Sequence, residues 1–310
     1  MAIKRLPSTG DAPRATGVPE SLVPGGAADS AGFPWAGRSF DHHGTAFADD
    51  DGRTPEGLLL AVDRVRRAAA LLRGARDRPA TRGAESTARI ETSLETLVEA
   101  LAEAHMEAVL ALSRCRVLIP LLAEAGEVGI TPEGRTVEKT QELSIVTVAG
   151  PDGRRVMPAF SSVETMRAWN PEARPIPVPA PQAALAAAQE QTDLIIIDPG
   201  APEREFGVRR TQLEAMALGE RVRPAWADPG VRAAFRASID GEAAMLAVEL
   251  VPGDPEARLL APETEVILSV APGLDREALQ RVLAALQQRW AASETIAERV
   301  DSLRVVLRAG

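Results

Sequence analysis

The spacing of apolar residues changes at Cys115, and this change limits the folds that the chain can adopt. Before Cys115, apolar side chains recur every three or four residues, as on one face of an amphipathic helix. After it, short aliphatic runs such as "RVLIPLLA" and "DLIIID" have the length of strands, and further helical segments lie between such runs. This mixture of periods predicts an α+β fold.

Residues 55–112 are predicted to be a helical segment. Its first helix opens with Thr54 as N-cap and Pro55 at the first helical position. The second covers about 86–112, after a polar break. The apolar stripes that define the two helices are Leu58, Val62, Val65, Ala69 and Leu72, then Ile90, Leu94, Leu97, Leu101, Ala108 and Leu112. The helices either pair as a hairpin or leave the first one as a mobile arm.

Two domains are predicted after the helical segment. Residues 113–219 read as a mixed-sheet domain with flanking helices, including a hairpin over 143–160, a helix over about 162–169 and an extended proline-rich stretch. Residues 220–310 read as a smaller α/β sandwich with the order helix, strand, strand, helix, strand. Its first helix has Asp228 as cap and Pro229 at the first position.

Residues 1–54 are rich in Pro, Gly, Ala, Ser and Asp and have few large apolar side chains. Such a segment buries too little surface to offset the entropy of ordering, so we predict a mostly disordered leader. Four aromatic residues stand out within it: Phe33, Trp35, Phe40 and Phe47. They serve either to dock the leader on its own protein or as a short linear motif for a partner.

The charge balance excludes some classes of partner. The net charge is −9 and the pI is about 5.1, which argues against a nucleic-acid surface because phosphate binding needs concentrated positive charge. No apolar run approaches the roughly 18 residues of a membrane span, and the N-terminus lacks the apolar core of a secretory signal. One cysteine fits a reducing compartment. We therefore expect a cytoplasmic protein without membrane insertion.

The pair Ser161–Ser162 invites comparison with a nucleophile at a strand-to-helix turn. A nucleophile elbow needs flanking glycines, which this site lacks, and a general base, while the chain has three histidines, two of them in the leader. The spacing Ser161 to Glu164 instead matches a capping box, in which the serine and glutamate side chains bond reciprocally to backbone N–H groups. We predict a structural helix cap and no catalytic residue.

Three other positions have a chemical and a structural interpretation. His105 lies on the apolar stripe and is interpreted as a boundary histidine rather than a ligand. Cys115 lies between Arg114 and Arg116, which would lower the pKa of an exposed thiol, but its place before an apolar strand favours a structural role. His42 and His43, near the acidic run 49–51, resemble a metal site only loosely, because a calcium loop there would lack its closing glutamate. No metal or cofactor site is predicted.

Four stretches cover about 110–218: "RVLIPLLA", "LSIVTVAGPDGRRVMPAFSSVETMRAWNPEARPIPVPAPQAA", "TDLIIIDPGAP" and "FGVRRTQLEAMA". Together they resemble the SseB N-terminal domain family in its actinobacterial form. Residues 220–310 are similar to the C-terminal domain of that family, and "PWAGRSF" with "FADDDG" resembles the leader of its actinobacterial members. The resemblance implies a family named for enhanced serine sensitivity, and it supplies no catalytic residues to transfer.

The leading functional hypothesis is a non-catalytic, cytoplasmic interaction or regulatory protein with an unidentified protein partner. One alternative is an amino-acid sensor or enzyme of amino-acid metabolism, with a polar pocket near the ends of "DLIIID" and "VMPAF". Another is an accessory protein of a bacterial secretion system that docks through its aromatic leader. Homodimerisation is left open.

Overall fold

The structure is a computed structural model that describes residues 47–77, 84–123, 128–130, 136–138, 143–145, 147–150, 153–189 and 192–310. Phe33, Trp35, Phe40 and most of the predicted leader lie outside these ranges. The chain divides into two units, Met1–Asp50 and Asp51–Gly310. In the first, Phe47 opens a turn in which the Asp50 N–H donates to the Phe47 carbonyl at 3.1 Å. The named helices and strands belong to the second unit and confirm the α+β class.

The eight helices of the described residues begin and end as follows: α1 Glu56–Arg76, α2 Ala84–Ser113, α3 Val163–Trp169, α4 Ala180–Gln189, α5 Arg210–Leu218, α6 Pro229–Ser238, α7 Arg276–Ala292 and α8 Glu294–Arg299. Helices α1 and α2 pack together, which agrees with the hairpin alternative. Asp228 caps α6, with its Oδ1 accepting from the Val231 N–H at 2.9 Å, and Pro229 is the first helical residue, as predicted.

The twelve strands of the same residues are β1 Arg116–Ala123, β2 Val128–Ile130, β3 Thr136–Glu138, β4 Leu143–Ile145, β5 Val148–Ala149, β6 Arg155–Ala159, β7 Arg174–Pro179, β8 Leu194–Ile197, β9 Phe206–Val208, β10 Met245–Pro252, β11 Thr264–Val270 and β12 Leu303–Ala309. They form sheets with the orders β4-β1-β7, β5-β6-β8-β9 and β10-β11-β12, and a β2-β3 pair.

Two local predictions are wrong. The hairpin over 143–160 is not one unit, because Leu143–Ile145 pairs with β1 and only the short strand β5 pairs with β6. Alternating apolar residues predict a strand, but they do not predict which strand it pairs with. Here the first half of the expected hairpin pairs with β1 instead. Thr54 does not cap α1: the N-cap is Pro55, and the Thr54 hydroxyl lies 2.8 Å from the Ser161 hydroxyl instead.

The prolines of β7 direct their backbone nitrogens to the open edge of the sheet, away from β1. The Ala180 N–H donates to the Cys115 carbonyl at 3.0 Å, which sets the phase of the β1-β7 ladder. Because neighbouring residues of a strand direct their backbone groups to opposite sides, Ile176 and Val178 bond to β1 and the intervening residues face away. Those residues are Pro175, Pro177 and Pro179, so the open edge of β7 has no N–H to donate along this stretch.

The third sheet has a different free edge. Strand β11 runs antiparallel to β10 and parallel to β12. The Thr264 N–H donates to the Ser302 carbonyl at 3.1 Å, and the Gly310 N–H donates to the Val270 carbonyl at 3.0 Å. This phase directs the even-numbered residues of β12 toward β11. The odd-numbered residues of β12 therefore direct their backbone N–H and C=O groups outward; they are Leu303, Val305, Leu307 and Ala309. Among the described residues, no backbone group bonds to these outward groups.

One hydrophobic cluster contains side chains from Leu58 on α1 to Val300 just before β12. In the last sheet, Val266 and Leu268 of β11 are fully buried, as is Leu286 of α7, and Trp290 is nearly so. The predicted division of the chain at residue 219 stays a prediction. None of the described helices is long and apolar enough to cross a bilayer.

Candidate functional site

Nucleophile-type side chains and a carboxylate meet where β6 and β8 end. These strands are parallel, with Ala159 opposite Ile197, so the residues that follow them come together. Ser161 follows β6 and Asp198 follows β8, and both are almost completely buried. Asp198 has a φ of 50°, a left-handed conformation that aspartate tolerates better than most side chains. We call Ser161, Ser162, Thr165 and Asp198 the Asp198 cluster.

Both carboxylate oxygens of Asp198 accept hydrogen bonds from other residues of the Asp198 cluster. Asp198 Oδ1 accepts from the Ser161 N–H at 2.8 Å and from the Thr165 hydroxyl at 2.5 Å, and Oδ2 accepts from the Ser161 hydroxyl. The Arg116 guanidinium donates to the carbonyls of Ser161 and Arg53, the latter at 2.8 Å. The cluster therefore ties β1, β6 and β8 to the segment that leads into α1.

Charge and access at this cluster argue for a structural role. Desolvation raises the pKa of Asp198, and hydrogen bonds from Ser161 and Thr165 offset only part of that rise. Ser161 has no exposed surface on which a substrate could dock. His105, the histidine of the described residues, bonds elsewhere, through Nε2 to the Pro255 carbonyl at 2.9 Å. Ser161, Thr165 and Asp198 fill the place where the amino-acid sensor hypothesis expects a pocket.

The predicted Ser161–Glu164 capping box does not form. The N-cap of α3 is Ser162, whose hydroxyl accepts from the Thr165 N–H at 3.1 Å. Glu164 turns outward and pairs with Arg204 at 3.3 Å. The two serines are locally equivalent as caps, and Asp198 decides between them by holding the hydroxyl of the first.

His105 and Cys115 have the surroundings expected of structural residues. His105 is buried among Phe206 and Trp226, and desolvation lowers its pKa. The Cys115 thiol donates to the Ala111 carbonyl at 3.1 Å. Burial raises its pKa more than the charge of Arg116 lowers it, which is the opposite of an activated thiol.

A second buried polar cluster forms around Arg209. Its guanidinium donates to Asp254 at 2.6 Å, to Asp301 at 3.2 Å and to the Ala261 carbonyl at 2.9 Å. Arg154 reaches the other oxygen of Asp301 at 2.9 Å. We call Arg209, Asp254 and Asp301 the Arg209 cluster. Among the residues that the structure describes, no three His, Cys, Asp or Glu side chains gather as a metal site requires.

The sheet edges differ in how well they are protected against a further strand. Prolines occupy the open edge of β7. Strand β10 has a bulge between Met245 and Ala247 and ends at Pro252, and on β9 the Gly207 N–H is bonded to the Ala257 carbonyl at 2.6 Å. Prolines, bulges and covering loops are the usual protections of such edges. Strand β12 has none of these over its seven described residues, and it exposes Val306 and Leu307.

A groove of about 420 Å³ opens at the start of β12. The C-terminal end of α7, the helix α8 and the first residue of β12 form its walls, through Gln287, Trp290, Ala291, Ile296, Val300 and Leu303. No sequence pattern predicts this groove, because its walls come from separate elements with ordinary helical and strand patterns.

Comparison with known families identifies part of the chain. Residues 91–215 match the model of the SseB protein N-terminal domain. Neither the search of curated proteins nor that of solved structures found a match. The matched range contains most of α2, all of β1 and both parallel strands that carry the Asp198 cluster. Residues 91–215 of this chain are therefore similar to the SseB protein N-terminal domain.

Proposed function

We propose that the protein is a cytoplasmic, non-catalytic interaction module that regulates a partner protein. The observation that carries the proposal is the unprotected edge of β12, whereas prolines protect the edge of β7, a bulge that of β10 and a loop that of β9. An exposed edge strand binds a further strand through its free N–H and C=O groups. Three prolines block strand addition at the edge of β7, whereas the edge of β12 has free backbone groups among the described residues. The edge of β12 is therefore suited to binding a partner.

The side chains that could act as nucleophiles or bases are hydrogen-bonded to other groups of the protein, which supports the same proposal. Ser161, Thr165 and Asp198 satisfy one another in the core, and the Cys115 thiol is bonded to its own helix. These groups stabilise the fold where they lie. The secretion-accessory alternative depends on Phe33, Trp35 and Phe40, which are outside the described residues.

The experiment is an affinity capture with the full chain and two variants at one position. Leu307→Pro removes an outward N–H without removing a bond to β11, while Leu307→Ala truncates the same side chain and keeps that N–H. We expect a specific partner to be retained by the wild type and by Leu307→Ala and lost by Leu307→Pro. Capture that is equal for all three, or catalytic turnover in a substrate screen without any specific capture, would contradict the proposal.

A further inference from the structure

The open edge of β12 and the groove at its start are neighbouring parts of one surface. Arg289 of α7 donates to the Ser238 carbonyl at 2.6 Å, so this flank of the helix faces α6. Helix α6 also contacts β10, at the opposite edge of the sheet from β12. Gln287 and Ala291 line the groove on the other flank of α7, together with Leu303 of β12. Trp290, another wall of the groove, contacts α6, because its indole N–H donates to the Ser238 hydroxyl at 2.8 Å and its ring packs against Phe235. The groove therefore lies where α7 and α8 meet the first residue of β12.

A strand added to β12 would present its side chains to two different faces. Residues opposite Leu303, Val305 and Leu307 would lie on the helix-covered face, beside the groove. Val305 and Leu303 are half-buried there against the core, which favours apolar side chains in the added strand. Pockets that accept alternate side chains are how strand-addition sites select among peptides.

The other face of the added strand would meet positive charge. Arg304 and Arg308 stand on the uncovered face of β12, with side chains 56% and 62% exposed. Their acidic partners, Glu265 and Glu249, stand farther from the outer edge, on β11 and β10. The arginines are thus the charges nearest to an added strand, and opposite charges across a strand pair are favourable.

We infer that β12 and its groove bind an extended segment of a partner protein in which apolar and acidic residues alternate. This inference rests on the proposed function and adds the chemistry of the partner. A second copy of the chain fits less well. The seven residues of β12 include no acidic side chain, so a second β12 brings only arginines as charged groups to this face. Antiparallel self-pairing centred on Val306, for example, sets Arg304 opposite Arg308 of the second copy, and like charges there are unfavourable.

The binding test uses the full chain and the labelled peptide acetyl-Ser-Glu-Val-Thr-Val-Glu-Leu-amide. Its antiparallel register puts the glutamates opposite Arg308 and Arg304 and the final leucine opposite Leu303, at the groove. We expect at least tenfold weaker binding when both glutamates are replaced by lysine. N-methylation of the two valines, whose N–H groups face β12, should abolish binding, while N-methylation of the threonine and the second glutamate should leave it within threefold.

Two variants of the protein test the groove. Ala291→Trp fills it, and Ala292→Trp adds the same side chain at the neighbouring exposed position, which does not line it. We expect at least fivefold weaker peptide binding for the first and a change below twofold for the second. Equal effects of the two substitutions would remove the groove from the inference.

Amide hydrogen exchange identifies the occupant. With the acidic peptide bound, the amides of Val305 and Leu307 should gain at least tenfold protection, while those of Arg304 and Val306, already bonded to β11, should not change. No binding of this peptide, or binding without that alternation, would overturn the inference. Protection that rises with protein concentration alone would assign the edge to a second copy instead. The affinity capture is independent of the peptide, so the partner chemistry can fail while the proposed function stands.

Discussion

Asp198 and Asp301 are buried aspartates with opposite pKa shifts. Desolvation is the largest influence on both and raises the pKa. At Asp198 the main partners are neutral hydroxyls and one N–H, and the pKa stays raised. At Asp301 the hydrogen bond and charge of Arg154, the charge of Arg209 and a bond from Ser302 together outweigh burial, and the pKa is lowered. The comparison teaches that the partners of a buried carboxyl group set the direction of its pKa shift.

The two clusters also fasten different parts of the protein. The Asp198 cluster lies within the SseB N-terminal domain match, and its Ser161 hydroxyl contacts that of Thr54. Arg116 of β1, which donates to the Ser161 carbonyl, also donates to the carbonyl of Arg53. The Arg209 cluster starts from the last strand-to-helix turn of that match and reaches Asp254 and Asp301 beyond it. Arg209 thereby links the matched domain to the sheet that exposes β12.

The largest loss of stability is expected from removing the positive charge of Arg209. Arg209→Met leaves Asp254 and Asp301 buried with less compensation, and breaking a buried ion pair from one side costs about 3–5 kcal/mol of the free energy of unfolding. Urea denaturation of the full chain measures it. Arg210→Met, at the adjacent exposed position, is the matched control and should change stability by less than about 0.5 kcal/mol. Similar losses for both variants would refute the role of Arg209.

Removing the carboxylate of the other cluster is expected to cost less. Asp198→Ala leaves the Ser161 N–H and the hydroxyls of Ser161 and Thr165 without an acceptor, for a loss of about 2–3 kcal/mol. Asp198→Asn keeps an acceptor and tolerates the left-handed conformation, so we expect about 1 kcal/mol. The same denaturation measurement compares them, and an asparagine variant as unstable as the alanine variant would contradict this account.

The smallest effect is a difference in pH dependence. The raised pKa of Asp198 means that its ionised form opposes folding, so the wild type should gain stability relative to Asp198→Asn as the pH falls through the folded pKa toward 3.8. The lowered pKa of Asp301 means that its contribution is present above pH 3.8 and is lost below it as the folded pKa is crossed. Each pKa unit corresponds to about 1.4 kcal/mol. Stability curves of the wild type, Asp198→Asn and Asp301→Asn measure both, and parallel curves would exclude the contrast.

The regular elements could be predicted because their signals are local. The stripe Leu58–Leu72, the Asp228 cap with Pro229, and the strand within "DLIIID" all appear as expected. The errors concern choices among equivalent local options. Either serine of the pair at 161 and 162 suits a cap, and a carboxylate 37 residues away decides which one serves. Thr54 likewise bonds to Ser161, across the core, in preference to its own helix.

The candidate binding surface was beyond local prediction for the same reason. The strand β12 and the helix α7 were expected from their patterns, but an edge exists only relative to the order of strands, and the groove only relative to the packing of α7 and α8. Asp198 was part of a predicted strand end, yet nothing in "DLIIID" marks it as the acceptor for three donors.

The sequence by itself determined most of the elements, their order, the similarity of residues 91–215 to the SseB N-terminal domain and the absence of a concentrated positive charge, because periodicity, capping and composition act over a few residues. The tertiary structure alone decided which serine caps, which aspartate is held by hydroxyls and which by arginines, and which sheet edge stays open. Those outcomes depend on contacts between distant residues, where burial turns small local preferences into large differences in free energy.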